Sequence, residues 1–351
     1  MYSKLRHVSV SGMSACVPRD IDEVAAYPAF DEKAAKKFVR STGIERRHKA
    51  DSDTCTSDLC LTAAERLLDE LRWEKDSISL LVFVSQTPDY RLPATSCILQ
   101  DRLGLSKDCA TVDVSNGCSG WVYGLNVCAS MLSASEGKRA LLLAGDTLLK
   151  ICSPEDKSTW PLFGDAGTCT AIEFDAGHDT GMEFNLHSDG AGSEMIIVRG
   201  GGTRVPYSAT AAQRKDIDDG IRRSDMDLSL EGMDVFSFGI TRGAECVSEL
   251  IEHFGLMPDV RTLYTFHQAN RMLNETIRRK LRLTAEQCPY CLQEYGNTSS
   301  ASIPLALVSQ CQDRLRDETV DHIACGFGVG ASWGSVHFTT SHIAVPEIVE
   351  V

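Results

Sequence analysis

The chain has 351 residues, 43% of them hydrophobic, and carries a formal net charge of −14 at pH 7. Nucleic acids and anionic membranes bind basic faces, so this charge disfavours both as the main partner. No run of about 18 apolar residues occurs, and the start, MYSKLRHVSV, lacks the apolar stretch of a secretion signal. The sequence therefore predicts a cytoplasmic globular protein with one large or two smaller domains.

The 14 cysteines are scattered at irregular spacing. Thiols stay reduced in the cytoplasm, so most of them are expected to be small buried hydrophobic residues, and no disulfide is predicted. Cys288 and Cys291 form an isolated CPYC pair, and no metal site is predicted there.

Short apolar strands alternate with amphipathic helices along the chain. The segment LTAAERLLDELRW (61–73) spaces its apolar residues three and four apart, as a helix does, and SISLLVFVSQ (77–86) follows it as a strand. ALLLAGD (140–146) and TLYTFHQAN (262–270) are further predicted strands, and CVSELIEHFG (246–255) is a further helix. This alternation predicts an α/β fold.

Two segments of the chain resemble each other. FGDAGTCTAIEF begins at Phe163 and FGVGASWGSVHF begins at Phe327, and both lead from Phe-Gly through small residues into a β-type run that ends in Phe. The offset of 164 residues (327 − 163) is close to half the chain. It predicts two related α/β halves, over residues 1–174 and 175–351.

One cysteine is distinguished by its setting. In TVDVSNGCSGWVYGL, a strand pattern and a turn precede Cys118, and helical spacing follows it. A helix N-terminus, with its unpaired N–H groups and positive dipole end, is expected to lower the pKa of the thiol and stabilise a thiolate. Gly117 and Gly120 leave room for a substrate. The alternative is a buried cysteine between a strand and a helix, and a partner histidine would favour the nucleophile.

Two further polar residues follow strand-like or turn-like segments. His267 ends the strand TLYTF and opens a helical run, and Asn297 lies in the turn YGNTSS before an apolar helix. Taken singly, such a histidine is more often structural and such an asparagine is more often part of a turn. Ligand sites of open α/β sheets gather at the carboxyl ends of strands, so His267 and Asn297 are expected to converge with Cys118.

Two nucleophilic chemistries use Cys, His and Asn. Papain-like proteases contain them in this order, but their cysteine lies near the mature N-terminus of a secreted or lysosomal chain, whereas Cys118 lies a third of the way into this one. The second chemistry is thioester condensation. There the cysteine holds an acyl group, while His and Asn polarise the carbonyl of a second thioester.

Seven motifs together identify a family. They are TGIERRH (42–48), TPDYRLPATSCILQDRLGL (87–105), SNGCSGWVYGL (115–125), FGDAG (163–167), HQAN (267–270), GNTSSASIP (296–304) and GFGVGASWG (326–334). With them the chain resembles, nearly end to end, the thiolase-fold condensing enzymes, most closely the β-ketoacyl-acyl-carrier-protein synthase III family. The resemblance implies a five-layered αβαβα fold of two duplicated halves, an obligate homodimer, and chemistry without a metal or redox cofactor.

The resemblance also implies roles for site residues. Cys118 would be the nucleophile, and His267 and Asn297 would form the decarboxylation site. The backbone N–H groups of Cys118 and Val329 would hold the oxyanion. A starter acyl group would pass to the cysteine and condense with malonyl-acyl carrier protein, with loss of CO₂, to a β-ketoacyl thioester.

The chain departs from the family at the substrate-binding positions. Where well-studied members clamp coenzyme A with a tryptophan and two arginines, this chain has Lys37, Ser41 and Lys157. Stacking is lost, although lysines can still meet phosphates. The starter donor therefore stays open between an acyl carrier protein and a coenzyme A thioester. Leu92 corresponds to the phenylalanine that the partner subunit supplies near the acyl tunnel, and Phe163 is a further expected substrate-binding residue.

A basic helix is the predicted docking surface for the acidic carrier protein. After HQAN the chain supplies Arg271, Arg278, Arg279 and Lys280. The alternative is a solvated basic helix, and the docking arginine of the family corresponds to Met272 here.

Two other functions stay open at this point. One is a related acyltransferase that passes the acyl group to an alcohol, amine or resorcinol precursor in a secondary-metabolite or surface-polysaccharide pathway. The other is a catalytically idle partner subunit or binding module, which the Cys-His-Asn set disfavours.

Overall fold

The computed structural model describes residues 1–179 and 181–351. The strands, in chain order, are β1 Tyr2–Arg6, β2 Val8–Val17, β3 Ile21–Glu23, β4 Arg46–His48, β5 Ile78–Val84, β6 Ala110–Val114, β7 Arg139–Asp146, β8 Ala166–Phe174, β9 Gly181–Ser188, β10 Ile196–Ile197, β11 Lys215–Asp218, β12 Ile221–Arg223, β13 Ser229–Leu230, β14 Leu263–Phe266, β15 Thr319–Gly328, β16 Ser332–Ser341 and β17 Val349–Glu350. The helices are α1 Glu32–Thr42, α2 Thr56–Leu71, α3 Thr95–Leu103, α4 Gly120–Ser133, α5 Gly232–Phe254, α6 Arg271–Lys280, α7 Leu292–Tyr295, α8 Ser302–Gln310 and α9 Gln312–Asp317.

Two large sheets repeat one arrangement of strands. The first has the order β17-β2-β8-β7-β5-β6 and the second has the order β1-β9-β16-β15-β14. In the first, β8 is antiparallel to β2 and β7, and β5 is parallel to β7. In the second, β16 is antiparallel to β9 and β15, and β14 is parallel to β15. The segments that begin at Phe163 and Phe327 lead into the equivalent strands β8 and β16, so the sequence repeat reflects a structural one.

Helices fill the layers between and outside the sheets. The central helices α4 and α8 contact strands of both sheets, while α2 and α3 cover the first sheet, α5 covers the second, and α6 packs against α5. This is the five-layered αβαβα fold that the resemblance implied. The two sheets exchange their terminal strands, because β1 lies at the edge of the second sheet and β17 lies at the edge of the first. The division after residue 174 coincides with the end of β8 and remains a prediction.

The central helix α4 is apolar on nearly all sides because it packs between two sheets. Trp121, Leu125 and Leu132 are all buried in the largest core cluster. The indole N–H of Trp121 donates to Thr170 Oγ1 at 3.0 Å, which satisfies its only polar atom. The helix begins at Gly120, two residues after Cys118, so the cysteine lies at the predicted junction between a strand and a helix.

All 14 cysteines are free thiols, and twelve of them are buried. Cys288 and Cys291 belong to two different core clusters. Within residues 1–179 and 181–351, no group of three or more His, Cys, Asp or Glu side chains is arranged to hold a metal ion. The helices of this described part are all too short or too polar to cross a membrane.

A ladder of charged side chains crosses the second sheet on its outer face. Lys4 Nζ lies 2.8 Å from Glu183 Oε1. His337 lies between two carboxylates, with Nδ1 2.8 Å from Glu183 Oε2 and Nε2 2.7 Å from Asp321 Oδ1. Burial acts to lower the pKa of His337, but hydrogen bonds to Asp321 and Glu183 outweigh it and raise this pKa to about 9. The protonated imidazole therefore donates to both carboxylates.

Replacing His337 with glutamine is expected to destabilise the protein by about 1–3 kcal/mol at pH 6 and by much less above pH 9. The folded-state pKa lies above the ordinary value of 6.5, so the stabilisation is complete below pH 6.5 and is lost as the pH rises through about 9. Urea unfolding at pH 6.0 and 9.5 measures the difference, with His342→Gln at an exposed histidine as the control. An equal loss of stability at both pH values would contradict the assignment.

Candidate active site

Cys118 packs against a glycine-containing strand of the second sheet. Its side chain is buried, with 7% exposure. A Cβ atom at Gly328 on β15 would lie 2.7 Å from Cys118 Cβ and 2.8 Å from Cys118 Sγ, closer than real Cβ contacts allow. A Cβ atom at Gly326 would lie 2.7 Å from the Cys118 carbonyl oxygen. Only glycine therefore fits at these two positions of β15.

His267 directly follows β14 and is 2% exposed. Its backbone N–H donates to the Cys325 carbonyl at 2.8 Å, which continues the pairing of β14 with β15. In the ring, Nδ1 lies 2.7 Å from Ser302 Oγ, at the start of the central helix α8. The Phe327 ring packs edge-on against the imidazole, with the centroids 5.6 Å apart. These contacts fix the ring and leave Nε2 as the nitrogen that can meet a ligand.

Asn297 lies between α7 and a 3-10 turn formed by Ser299–Ala301. Its backbone N–H donates to the Leu162 carbonyl and its carbonyl accepts from Gly164, both at 3.0 Å, so the FGDAG segment holds the loop in place. The side-chain Oδ1 accepts the Ser299 N–H at 2.9 Å. Since this bond fixes Oδ1, the amide Nδ2 is the atom left to donate to a ligand.

Cys118, His267 and Asn297 line one cavity of about 310 Å³. The rest of its wall is mainly apolar and comes from both halves of the chain and from the segment before α5. The apolar lining residues are Phe38, Leu148, Leu162, Phe163, Ile196, Leu228, Leu230, Val235, Phe236, Phe238, Ala269, Phe327 and Val329. The structure thus brings together the three residues that the sequence singled out, in a mainly apolar cavity.

Burial keeps the side chains of Cys118 and His267 neutral. It raises the pKa of the Cys118 thiol to about 12, and the nearby Asp146 carboxylate adds to the increase. The expected lowering of this pKa is therefore wrong for the free protein, because loss of hydration and the Asp146 charge outweigh the nearby donors that favour the thiolate. Burial lowers the pKa of His267 to about 3, and the nearby backbone of Ser299 offsets only part of this. The resting site holds a thiol and a neutral imidazole.

Hydrogen-bond donors converge on the sulfur of Cys118. The Ser299 hydroxyl and the backbone N–H groups of Val329 and of Cys118 itself lie close enough to the sulfur to act to lower the thiol pKa. The two N–H groups are those that the resemblance implied for the oxyanion. Gly328 packs closely against Cys118, and Val329 is the next residue along the chain. This contact brings the two N–H groups together.

Sequence reasoning missed a buried carboxylate beneath the cavity. Asp146, the last residue of β7, has no solvent exposure. Burial raises its pKa, and hydrogen bonds from Gln86 and Ser300 oppose the increase. The sequence did contain a signal for it: Asp146 is the polar last residue of the apolar run ALLLAGD. Site residues of a parallel sheet gather at such carboxyl ends of strands.

The predicted substrate-binding residues fall in three places. Phe163 and Lys157 line the cavity itself. Lys37 lines an adjoining groove of about 610 Å³, which shares Phe38, Ser41 and Lys157 with the cavity. Leu92 is 86% exposed in the loop before α3.

The predicted docking residues on and beside α6 also divide. Arg278 donates two bonds to Glu275, at 2.9 and 2.7 Å, and a third to the Leu283 carbonyl. Lys280 donates to the Ile240 carbonyl at 2.9 Å. Arg271 and Arg279 are exposed at the surface. The first two residues hold local structure, and the last two face solvent.

A second group of cations lies on α1 and was not predicted as a surface. Lys33, Lys36, Lys37 and Arg40 line one surface groove. Residues three, four and seven apart share a helix face, so these side chains form a basic stripe. The next face of the same helix carries Phe38 into the cavity wall. The stripe therefore lies beside the cavity wall, and its Lys37 also lines the groove that adjoins the cavity.

Comparisons with known proteins agree with this geometry. The family model described as 3-oxoacyl-[acyl-carrier-protein (ACP)] synthase III matches residues 112–190, and the model of its C-terminal part matches residues 251–340. A β-ketoacyl-[acyl-carrier-protein] synthase III of Rhodopirellula baltica is 30% identical over 355 residues, covering 95% of this chain and 99% of the relative. Its counterpart in Desulfitobacterium hafniense is 32% identical over 300 residues, covering 85% and 87%.

Solved structures give the same result. The crystal structure of a 3-oxoacyl-(acyl-carrier protein) synthase from Burkholderia xenovorans LB400 superposes with a TM-score of 0.93 and 37% identity, covering 100% of this chain and 99% of the other. The synthase III of Pseudomonas aeruginosa PAO1 superposes with a TM-score of 0.82 and 27% identity, covering 98% and 100%. The chain belongs to the β-ketoacyl-acyl-carrier-protein synthase III family of thiolase-fold acyltransferases.

Proposed function

We propose that this protein transfers an acyl group from a thioester to Cys118 and then condenses it with malonyl-acyl carrier protein to a β-ketoacyl thioester. The observation that carries the proposal is the single cavity lined by Cys118, His267 and Asn297. Membership of the synthase III family supports it, since relatives bear the name β-ketoacyl-[acyl-carrier-protein] synthase III.

In the first step Cys118 attacks the carbonyl carbon of the acyl thioester. The new bond joins the sulfur to this carbon, the bond to the donor sulfur breaks, and the thiol proton leaves with the departing thiolate. The negative charge that develops on the carbonyl oxygen is stabilised by the N–H groups of Cys118 and Val329. Because burial raises the thiol pKa to about 12, deprotonation belongs to the reaction and not to the resting site.

In the second step His267 and Asn297 bind the carbonyl oxygen of the malonyl thioester. We assign the Ser302 hydroxyl as donor to Nδ1 of His267, so the neutral ring carries its hydrogen on Nε2. Nε2–H and the Asn297 Nδ2–H stabilise the enolate that forms as CO₂ leaves. The carbanion then attacks the acyl carbon on Cys118, and the sulfur leaves as a thiolate that regains a proton.

The proposed chemistry depends on thiols. Acyl transfer, loss of CO₂ and condensation together consume no oxidant or reductant, and N–H donors stabilise the charge that develops, so the proposal includes no metal or redox cofactor. A reduced nucleophile requires a reducing compartment, and 14 free cysteines fit one. We therefore assign the protein to the cytoplasm.

We also propose that the protein acts as a homodimer in which Leu92 of each chain reaches the acyl site of the other. The loop before α3 exposes Leu92 by 86% and Tyr90 by 63%. The neighbouring strand β6 is an edge strand of the first sheet. Exposed apolar side chains beside an unpaired strand edge are typical of an interface.

The acyl carrier protein is proposed to dock beside the opening of the cavity. Carrier proteins are acidic, and this chain is acidic overall as well. Docking therefore needs a local group of cations. The proposed surface comprises the basic stripe on α1 together with Arg271, whose Cβ lies 2.9 Å from the ideal Cβ position of Gly43 at the end of α1. Arg279, exposed further along α6, extends it. Charge complementarity of this kind mainly sets the rate and orientation of encounter.

Three substitutions test the proposed reaction. Cys118→Ala should abolish acyl-enzyme formation, whereas His267→Ala and Asn297→Ala should still form acyl-Cys118 but release CO₂ from malonyl carrier protein about 10²–10³ times more slowly. Intact mass spectrometry measures acylation with labelled acyl-coenzyme A and acyl carrier proteins, and product analysis measures condensation.

Acylation without CO₂ release in the unmodified protein would instead favour transfer to an alcohol, amine or resorcinol precursor, which the altered positions Lys37, Ser41 and Lys157 leave open. Absence of acylation from every donor would contradict both functions.

Gly328→Ala is expected to slow acylation of Cys118 and to destabilise the protein by about 1–3 kcal/mol. The added methyl group would lie within 2.8 Å of the sulfur and must displace it from the N–H donors. Gly232→Ala is the matched control, because this glycine also lines the cavity and an added Cβ would meet only Leu230, at 3.7 Å. Thermal unfolding and intact mass measure both effects, and equal behaviour of the two variants would contradict the contact.

Reversing two charges of the stripe, Lys33→Glu with Arg40→Glu, should raise KM for malonyl carrier protein about tenfold at low ionic strength. The KM for a small malonyl thioester without a carrier should stay unchanged, because neither residue lines the cavity. Arg66→Glu with Lys75→Glu changes charge equally on the far side of the first sheet and serves as the control. An equal effect of both pairs, or a raised KM for the small thioester, would reject the docking surface.

A further inference from the structure

A buried carboxylate that the proposed reaction does not use joins the two halves of the site. Asp146 ends β7 in the first sheet and is fully buried. A buried charge is costly unless several donors surround it, so its partners indicate what it holds.

The two oxygens of Asp146 accept hydrogen bonds from different halves of the chain. Oδ1 accepts the Gln86 N–H at 2.7 Å and the Ser85 hydroxyl at 3.2 Å, both just beyond β5. Oδ2 accepts the Ser300 hydroxyl at 2.8 Å and the Ser300 N–H at 3.2 Å. The carboxylate thus fastens the 3-10 turn Ser299–Ala301 of the second half to the strand ends of the first.

This turn determines the orientation of the Asn297 amide. The Ser299 N–H donates to Asn297 Oδ1 at 2.9 Å, and the Ser299 hydroxyl lies 3.4 Å from Gln86 Oε1. Ser299 has a φ of +52°, in the left-handed region that favours glycine. Such a residue needs support from its surroundings, and its neighbour Ser300 receives that support from Asp146.

We propose that Asp146 is a positioning residue: by binding Ser300 it holds the turn that aims Nδ2 of Asn297 into the cavity. The inference rests on the proposed function, because Nδ2 of Asn297 is the donor for the malonyl thioester there. Asp146 itself touches no substrate.

The same carboxylate has an opposite effect on the nucleophile. Its charge lies close enough to Cys118 to raise the thiol pKa, in addition to the larger effect of burial. Asp146 therefore favours the second step through Asn297 and disfavours thiolate formation in the first. Removing the charge should separate the two effects.

Asp146→Asn keeps the side-chain shape. If Oδ1 keeps its bonds to Gln86 and Ser85, the new amide NH₂ faces the Ser300 N–H, and two donors then oppose each other. CO₂ release from malonyl carrier protein should fall about 10²-fold, the effect of a displaced catalytic group. The pH profile of Cys118 alkylation by iodoacetamide, followed by peptide mass spectrometry, should shift to lower pH. Amide hydrogen exchange at residues 297–301 should become faster.

Ser300→Ala separates position from charge. It removes the 2.8 Å hydroxyl bond to Asp146 and leaves the carboxylate in place. CO₂ release should fall about tenfold, as for the loss of one hydrogen bond, while the pH profile of Cys118 alkylation should match the unmodified protein. Asp165→Asn is the control for loss of a buried carboxylate, since Asp165 binds the N–H groups of Ala50 and Leu149 instead. It should lower stability without shifting the alkylation profile.

Failure of this inference and failure of the proposed function give different results. If the unmodified protein releases CO₂ and Asp146→Asn and Ser300→Ala release it equally fast, the positioning role is overturned. If the unmodified protein releases none, the proposed function fails, and hydrogen exchange at residues 297–301 decides the positioning role alone. Unchanged exchange in Asp146→Asn would overturn it, and faster exchange would support it. Ser300→Ala provides the same measurement if Asp146→Asn does not fold.

Discussion

The packing of Cys118 against strand β15 determines the geometry of the whole site. Side chains at Gly326 or Gly328 would collide with the cysteine, so the two halves approach each other here by backbone contact. Next to this contact, the hydroxyls of Ser119 and Ser332 lie 2.7 Å apart across the same boundary. The N–H of the following residue, Val329, lies close enough to the sulfur to act to lower its pKa. The proposed nucleophile and oxyanion donors are therefore positioned by one contact, and neither half of the chain can form this cavity alone.

The cavity stabilises neutral groups and so relies on hydrogen bonds instead of resident charges. Burial raises the pKa of Cys118 and lowers that of His267, so a thiolate-imidazolium pair is disfavoured in the resting protein. N–H groups that are already oriented need little reorganisation when negative charge develops on a carbonyl oxygen. An apolar wall strengthens the electrostatic interaction between these N–H groups and that charge. The carboxylate of Asp146 is the exception, and it lies beneath the cavity, where four hydrogen bonds compensate its burial.

Features that depend on neighbouring residues could be predicted from the sequence, and features that depend on distant ones could not. The strands predicted to end at residues 86, 146 and 270 correspond to β5, β7 and β14. Site residues gather at the carboxyl ends of parallel strands, and this rule correctly predicted that Cys118, His267 and Asn297 lie together. The direction of the Cys118 pKa shift was wrong, because the helix N-terminus is local whereas burial comes from the other half of the chain. The bond from Asp146 to Ser300 spans 154 residues and leaves no periodic signal. The pairing of Arg278 with Glu275, three residues away on one helix, was visible in the spacing but was not used.

The contrast between a net charge of −14 and a basic stripe on α1 follows from the range of electrostatic forces. At physiological salt the Debye length is about 8 Å, so an approaching acidic partner is influenced by the charges nearest the cavity opening and little by the rest of the surface. At that opening Lys157 is already paired with Asp219, at 2.9 Å. Within the basic stripe Lys36 is paired with Glu32. The proposed attraction for an acidic partner therefore comes mainly from Lys33, Lys37 and Arg40, together with Arg271 beside them. An acidic surface elsewhere limits non-specific association without weakening this local attraction.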